Sequence, residues 1–201
     1  MRPRFARFIT LGLSIVLMAF SARVVAAPPN LVVNGDFGPG LLLQGWERVG
    51  TLMDSEWEPE DAAGNPQSGS VRVNGLFQPE FRIMRRQCTV LSGPSHAYVV
   101  GAAMRTDQDS LARGGVFARF GFHEDADCTV DSGYAFVIVA WEPMWSLRLE
   151  DIQLGAFGPA SLSVMLGAYK TVSDEGEIAG HIDAVFAYAD GLMRDGFDGT
   201  R

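Results

Sequence analysis

The chain has 201 residues, with 16 Lys and Arg against 24 Asp and Glu, and therefore a formal net charge of −8. This acidic balance excludes phosphate backbones as natural partners and disfavours anionic lipid surfaces, because like charges repel. The length is enough for one domain with a core of its own, and no linker, repeat or low-complexity tract divides it.

The N-terminus has the three-part order of a secretory signal peptide. Arg2, Arg4 and Arg7 precede an uncharged, mostly apolar run at 8–20, and small residues follow at 24–27. The alternative is a membrane anchor, but this run is shorter than the roughly 20 residues that span a bilayer. We predict cleavage after Ala26, a domain at 27–190 and a short tail at 191–201. The mature chain, with a net charge of −12, is expected to span no membrane and to be secreted or periplasmic.

Two cysteines remain in the predicted mature chain, Cys88 and Cys128. An exported protein folds in an oxidising compartment, so an even pair predicts a disulfide. Two buried thiols are the alternative.

The mature chain consists of short runs rich in Val, Ile, Phe and Tyr, separated by Gly, Pro, Asn and Asp. Such runs predict strands, and seven of them without long helical patterns predict an all-β antiparallel sandwich of the jelly-roll kind. The predicted strands are 71–76, 81–90, 97–105, 116–122, 134–141, 161–169 and 181–188, with a short helical turn near 107–113.

Two strands alternate clearly enough to predict which residues share a face. In the fourth, Val116, Ala118, Phe120 and Phe122 lie together and Arg119 lies opposite. In the last, we predict that one face carries Ile182, Ala184, Phe186 and Tyr188, and that His181 and Asp183 lie on the other. One buried face is typical of antiparallel sheets.

The opening Asn30–Phe37, with Asn34, Gly35 and Asp36, followed by Gly45-Trp46, resembles the start of carbohydrate-binding jelly-roll modules of the cellulose- and xylan-binding kind. These modules belong to the galactose-binding-like sandwich group. The run 87–102, the loop 125–128 and the closing strands from 159 and 181 are similar to the central and final strands of those modules. The resemblance covers about residues 30–190 and implies a non-catalytic, glycan-binding sandwich.

The resemblance also implies one structural calcium near the first and last strands. Calcium prefers carboxylate and carbonyl oxygens, and Asp36 and Asp183 match the family's positions. The family usually has an acid directly after the Phe, where this chain has Gly38. The alternative is that Asp36 caps a turn and Asp183 accepts from backbone amides.

Candidates for sugar binding are aromatic rings and polar side chains on one concave sheet face. Trp141 and Trp145 flank a turn, and Trp57 lies in an acidic run, Glu56 to Asp61, that is expected to be a solvated loop. Arg85 and Gln87 are predicted to share a face of a central strand, beside aromatic residues. Trp46 is expected in the core.

No catalytic motif occurs in the sequence, and its three histidines lie in different predicted elements. We therefore expect a binding protein and not an enzyme. One alternative is an envelope protein that uses the sandwich for structure or protein interaction. The other is a glycoside hydrolase, which would have two converging carboxylates in a pocket, one with a raised pKa.

Overall fold

The computed structural model describes residues 29–49, 54–75, 79–93, 95–129, 134–156, 158–173 and 175–189. These contain ten strands and one 3₁₀ turn at Gln108–Ser110. The strands are β1 (Glu47–Arg48), β2 (Asp54–Glu58), β3 (Ser70–Gly75), β4 (Phe81–Val90), β5 (Ala97–Thr106), β6 (Gly114–His123), β7 (Tyr134–Ala140), β8 (Ser146–Gln153), β9 (Ser161–Lys170) and β10 (Ile178–Ala189). The predicted signal peptide and tail lie outside the described residues.

The strands form two five-stranded antiparallel sheets, packed as a sandwich. The first sheet has the order β1-β4-β9-β6-β7 and the second the order β2-β3-β10-β5-β8. This confirms the all-β antiparallel sandwich. The seven predicted strands are all present, and three edge strands, β1, β2 and β8, were not predicted. The described part of the chain contains no helix long and apolar enough to cross a membrane.

The expected solvated loop at 56–61 is in part strand β2, which is a correction. Its edge position explains the error, because edge strands commonly carry charged side chains such as Glu56 and Glu58, which oppose pairing with another chain. Both carboxylates lie near the guanidinium of Arg72 on the neighbouring strand, at 3.5 and 3.6 Å.

The core lies between the sheets and is built from the inward residues of both. Trp46 is buried there, as predicted. On β6 the buried set includes Val116, Ala118, Phe120 and Phe122, which confirms the predicted face. Apolar burial of this kind contributes roughly 25 cal/mol per Å² to folding.

A β-bulge in β4 exchanges the two faces of that strand. Ile83 pairs with Gly167, but Arg85 already pairs with Leu166, so the register shifts at Met84. Phe81 and Ile83 therefore point outward, whereas Arg85 and Gln87 point toward the core. The prediction that Arg85 and Gln87 share a face is confirmed, but this face is not that of Phe81, because an extra residue inverts every later side chain.

A second bulge lies in β10 between Asp183 and Phe186, where Ala184 has a φ of 45°. Ile182 is buried, but after the bulge Val185 and Ala187 take the inward positions. Phe186 and Tyr188 thus share the outer face with His181 and Asp183, and the predicted grouping with Ile182 is wrong. The opening segment packs on this bulge: the Val185 amide donates to the Gly35 carbonyl at 2.9 Å.

Candidate functional site

The outer face of the first sheet is bounded at one end by the loop at 124–129. Cys88 points outward from β4, and its sulfur is bonded to Cys128 in this loop, with Cα atoms 6.1 Å apart. The disulfide prediction is confirmed. The Ser161 hydroxyl donates to the Asp125 carbonyl at 2.6 Å, so β9 holds the same loop from the other side.

The opposite end of this face carries an aromatic cluster. Phe81 stacks on Tyr169 with ring centroids 5.3 Å apart and meets the edge of Phe117 at 5.2 Å. Phe81 itself is 58% exposed, while Phe117 beneath it is buried. A Cβ at Gly167 would come within 3.0 Å of the Phe117 ring. Because that position has no side chain, the ring lies close to the sheet surface and presents Phe81 to solvent.

Between the aromatic cluster and the disulfide loop lies a row with two guanidinium groups. Arg86, Met165, Arg119 and Val137 occupy successive strands in one register. Arg86 is exposed and forms an ion pair of 2.9 Å with Glu47 on β1. This face thus combines a flat ring, apolar flanks and directional hydrogen-bond donors, which is the chemistry a sugar ring requires.

The two tryptophans predicted to line a ligand site lie on different sheets. Trp141 follows directly after β7, is 55% exposed and continues the outward alternation of Val137 and Val139. The ring of Trp145 instead contacts His181 and Arg105 on the outer face of the second sheet. The chain crosses between the sheets within these residues, so the two rings lie on opposite outer faces, and their predicted role in ligand binding stays a prediction.

The other predicted ligand residues have structural contacts. The Trp57 indole donates to the Phe37 carbonyl at 2.7 Å. Arg85 donates to the Ser55 hydroxyl and carbonyl, both at 2.8 Å. The buried Gln87 amide joins the opening segment to β4, accepting from the Val33 amide at 2.7 Å and donating to the Val33 carbonyl at 2.9 Å. Their predicted role in ligand binding stays a prediction.

A pocket of about 520 Å³ lies where the opening segment meets β10. Asp36 and Asp183, the two predicted calcium ligands, both line it, together with Asp61. Asp183 is buried, and its oxygens accept from the backbone amides of Ala62 and Ala184. Asp36 is exposed, and its carbonyl accepts from the Ser68 hydroxyl.

Asp61 was missed as a pocket residue because its acidic neighbours suggested a solvated loop. Its carboxylate accepts from the amides of Ala63 and Asn65, at 2.8 and 2.6 Å, and it lines the pocket with Asp183. Desolvation raises the pKa of Asp61, but these hydrogen bonds lower it more, so the net direction is downward. The Asx-type turn from Asp61 to Asn65 was the available sequence signal.

Burial raises the pKa of Asp183 to about 7, against the lowering by the Ala62 and Ala184 amides, and the nearby Asp61 charge raises it further. Without a cation, this raised pKa favours the protonated form of Asp183 below neutral pH. Two adjoining carboxylates beside backbone carbonyls form an all-oxygen donor set, which is the set calcium prefers. Asp61 supplies an acid that the sequence comparison with Gly38 left missing.

The pair also has the features expected of the hydrolase alternative, two acids in one pocket of which one has a raised pKa. Both oxygens of Asp183, however, accept from the backbone amides of Ala62 and Ala184. Such bonding is typical of a structural carboxylate.

Comparison with known proteins places the fold among sandwich domains. No protein-family model matches the chain, and no curated protein matches it. Among solved structures, a family 16 carbohydrate-binding module aligns with a TM-score of 0.53 and 19% identity, covering 79% of this chain and 99% of that one.

Two larger proteins contain a similar domain. The enzymatically active domain of tailspike protein 4 from bacteriophage CBA120 aligns with a TM-score of 0.53 and 14% identity, covering 79% of this chain. An arabinose-bound GH51 α-L-arabinofuranosidase aligns with a TM-score of 0.53 and 10% identity, also over 79%. The chain spans 21% of the first and 26% of the second. These likenesses establish the fold.

Proposed function

We propose that this chain is an exported, non-catalytic glycan-binding module whose binding surface is the outer face of the first sheet. The observation that carries the proposal is Phe81, a ring 58% exposed and held flat on Tyr169. Contiguous exposed apolar patches, unlike single exposed side chains, mark binding surfaces, and Phe81 shares this face with the exposed Val137 and Trp141.

The neighbouring groups support the same surface. Trp141 provides a second exposed ring on the same outward alternation, and Arg86 and Arg119 provide donors in the adjacent row. Rings stack on the C–H faces of a sugar, and guanidinium groups bind its hydroxyls edge-on. The similarity to a carbohydrate-binding module agrees with this use, and the disulfide agrees with an extracellular or periplasmic location.

The proposal includes one structural calcium in the Asp61–Asp183 pocket, with Asp36 at its rim. The cation would neutralise two adjoining carboxylates and fix the opening segment against the bulge of β10. It would act at a distance from the aromatic cluster, so its role is in stability.

The test is a glycan array, with pull-down on insoluble cellulose and xylan, using the full chain after export. Phe81→Ala and Trp141→Ala should each abolish or weaken binding. Trp145→Ala is the matched control, since it removes the same ring from the other sheet. Binding lost only in the Trp145 variant would move the site to the second sheet. A folded protein that binds no glycan would contradict the proposal.

One observation favours protein interaction as a second candidate. Leu147 and Leu149, in edge strand β8, are 59% and 54% exposed on the outer face of the second sheet. An edge strand with apolar side chains offers both unpaired backbone groups and apolar area to a partner strand. Cross-linking of the exported protein to a partner through β8 would test this candidate. The Leu147→Lys variant is expected to lose the cross-link.

A further inference from the structure

The outer face of the second sheet has a polar centre that the proposed glycan surface does not use. His181 on β10 pairs with Arg72 on β3 and Arg105 on β5, so the three side chains form one outward row. Glu58 ends β2 at the edge of the sheet, and Glu60 follows two residues later. The cluster is therefore built on four neighbouring strands.

His181 is the deepest member of this cluster. It is only 2% exposed, and its Nδ1 lies 3.1 Å from the hydroxyl of the buried Ser70. Its Nε2 faces carboxylate oxygens of Asp107, Glu60 and Glu58 at 3.7, 3.9 and 4.0 Å, all beyond hydrogen-bond distance. A histidine that binds a metal usually has its other ring nitrogen in a hydrogen bond that fixes the ring, and the Ser70 hydroxyl does this for Nδ1.

The distances suit a small divalent ion. Zinc binds imidazole nitrogen and carboxylate oxygen at about 2.0–2.2 Å in a tetrahedron, so two of its ligand atoms lie about 3.3–3.6 Å apart. Nε2 of His181 lies 3.9 Å from Glu60 and 4.0 Å from Glu58, slightly beyond that separation. One nitrogen of His181 and one oxygen from each Glu all lie within 4.8 Å of one another. Small shifts of the exposed Glu60 and the partly exposed Glu58 side chains complete the set.

The charges around the cluster favour a cation. Three carboxylates face His181, those of Glu58, Glu60 and Asp107. Two guanidinium groups, those of Arg72 and Arg105, lie among them. Burial, followed by the Arg105 charge, lowers the pKa of His181, which favours the neutral ring with its lone pair. One negative charge in the cluster thus has no counter-charge, which a bound cation would supply.

Arg105 is the competitor that such an ion must displace from Glu60, to which it donates at 2.7 Å. It also donates to Asp107 at 3.1 Å, and its guanidinium lies 5.7 Å from the Trp145 ring centroid. Arg105 can therefore leave Glu60 and keep two other contacts. The Trp145 ring lies beside the cluster, with its centroid 6.0 Å from that of the His181 ring.

We propose that His181, Glu58 and Glu60 form a site for a divalent transition-metal ion such as Zn²⁺ on the outer face of the second sheet. The site differs from the Asp61–Asp183 pocket in chemistry, since imidazole nitrogen favours zinc over calcium and an all-oxygen set favours calcium. The ion joins edge strand β2 to central strand β10.

The experiment is a calorimetric titration of the untagged, metal-stripped full chain with ZnCl₂, in excess CaCl₂ so that the pocket is saturated. One zinc per chain is expected, and zinc at about a hundredfold excess over Kd should raise Tm by roughly 5–10 °C. A chain that binds no zinc, or whose Tm does not move with it, overturns the proposal.

Variants locate the ion. Glu58→Gln with Glu60→Gln should weaken zinc binding at least about tenfold, whereas Glu56→Gln on the same strand should leave it unchanged. His181→Asn should abolish it and the exposed His96→Asn should not. Because the buried His181 variant can fail to fold, the Glu pair decides: equal affinity in the Glu58/Glu60 and Glu56 variants overturns the proposal. Quenching of Trp145 fluorescence by Co²⁺, lost in Trp145→Phe, gives an independent readout.

Discussion

The two sheets of this sandwich present the same kind of inner face and opposite kinds of outer face. The outer face of the first sheet carries stacked rings around Phe81 and is bounded by a disulfide-held loop. The outer face of the second carries the buried His181 among carboxylates and guanidinium groups. Folding requires only that each sheet bury one side, so the other side is available for chemistry. One face suits an uncharged, ring-shaped ligand and the other a cation.

The largest expected effect comes from the disulfide of the first sheet. Replacing Cys88 and Cys128 by Ser should lower the free energy of unfolding by about 4 kcal/mol, because the bond closes a loop with a sequence separation of 40. Urea denaturation of the oxidised protein and of the double variant measures the difference. If the two outer faces act separately, losing the disulfide that holds the loop at 124–129 should weaken glycan binding and leave zinc affinity unchanged. An unchanged unfolding midpoint would show that the bond is absent in solution.

The next effect separates the calcium pocket from both faces. The pKa of Asp183 is about 7 in the folded chain and about 3.9 when unfolded, so the folded state binds the extra proton. Stability contributed by Asp183 is therefore present below about pH 4 and is lost as the pH rises to 7, by on the order of 2–4 kcal/mol. The Tm of the chain, measured from pH 4 to 8 with a chelator present, should fall by more than the Tm of the Asp183→Asn variant.

Calcium should remove that pH dependence, because a bound cation keeps Asp183 ionised. The rise in Tm on adding CaCl₂ is expected to be larger at pH 8 than at pH 5. Comparison with Asp183→Asn is needed because the lowered pKa of His181 acts in the opposite direction below pH 6.5. A rise in Tm that is equal at both pH values, or absent, would refute the calcium site.

A smaller effect tests the aromatic face directly. Phe81→Ala should weaken glycan binding ten- to thirtyfold, or about 1–2 kcal/mol, because stacked rings dominate such contacts. Leu149→Ala, an exposed apolar change on the other sheet, is the control and should have no effect. Affinity electrophoresis with the glycan found on the array measures both. Equal losses would mean that the two outer faces do not differ in function.

The smallest effect concerns the ion pair between Glu47 and Arg86. Both side chains are exposed, and exposed pairs contribute less than about 1 kcal/mol. Glu47→Gln should hardly change the unfolding midpoint, yet it frees the Arg86 guanidinium and should alter glycan affinity. A large loss of stability would show that Arg86 supports the fold more than it presents a ligand surface.

The fold class was predictable because burial enforces alternation over whole strands, as on β6. The disulfide was predictable because only two cysteines remain in the predicted mature chain. The edge strands were not predicted. In β2 one face carries acidic residues and the other Ser and Trp, and this pattern resembles that of a loop. The faces of β4 and β10 were predicted correctly only up to Met84 and Ala184. The local sequence does not mark a bulge at either residue. A bulge is set by how the strand pairs with its neighbours, which are distant in sequence.

The candidate sites, like the fold, were predictable from the sequence only in part. Asp36 and Asp183 were predictable as neighbours because a resemblance relates the opening segment to the closing strand. The Asp61–Asp183 contact, the Phe81 stack and the His181 cluster depend on strand register across long separations in sequence. The β7–β8 crossover placed Trp141 and Trp145 on opposite sides, which spacing alone does not reveal.

The bulges at Met84 and Ala184 also mark where these strands can change in length. Ile83 and Arg85 already pair with the consecutive residues Gly167 and Leu166, so deleting Met84 would leave a regular strand with Arg86 still outward and Gln87 still inward. A one-residue insertion or deletion elsewhere in the strand, without a bulge to absorb it, would move every later side chain to the other face. A lineage could thus gain or lose one residue at a bulge and keep its binding row.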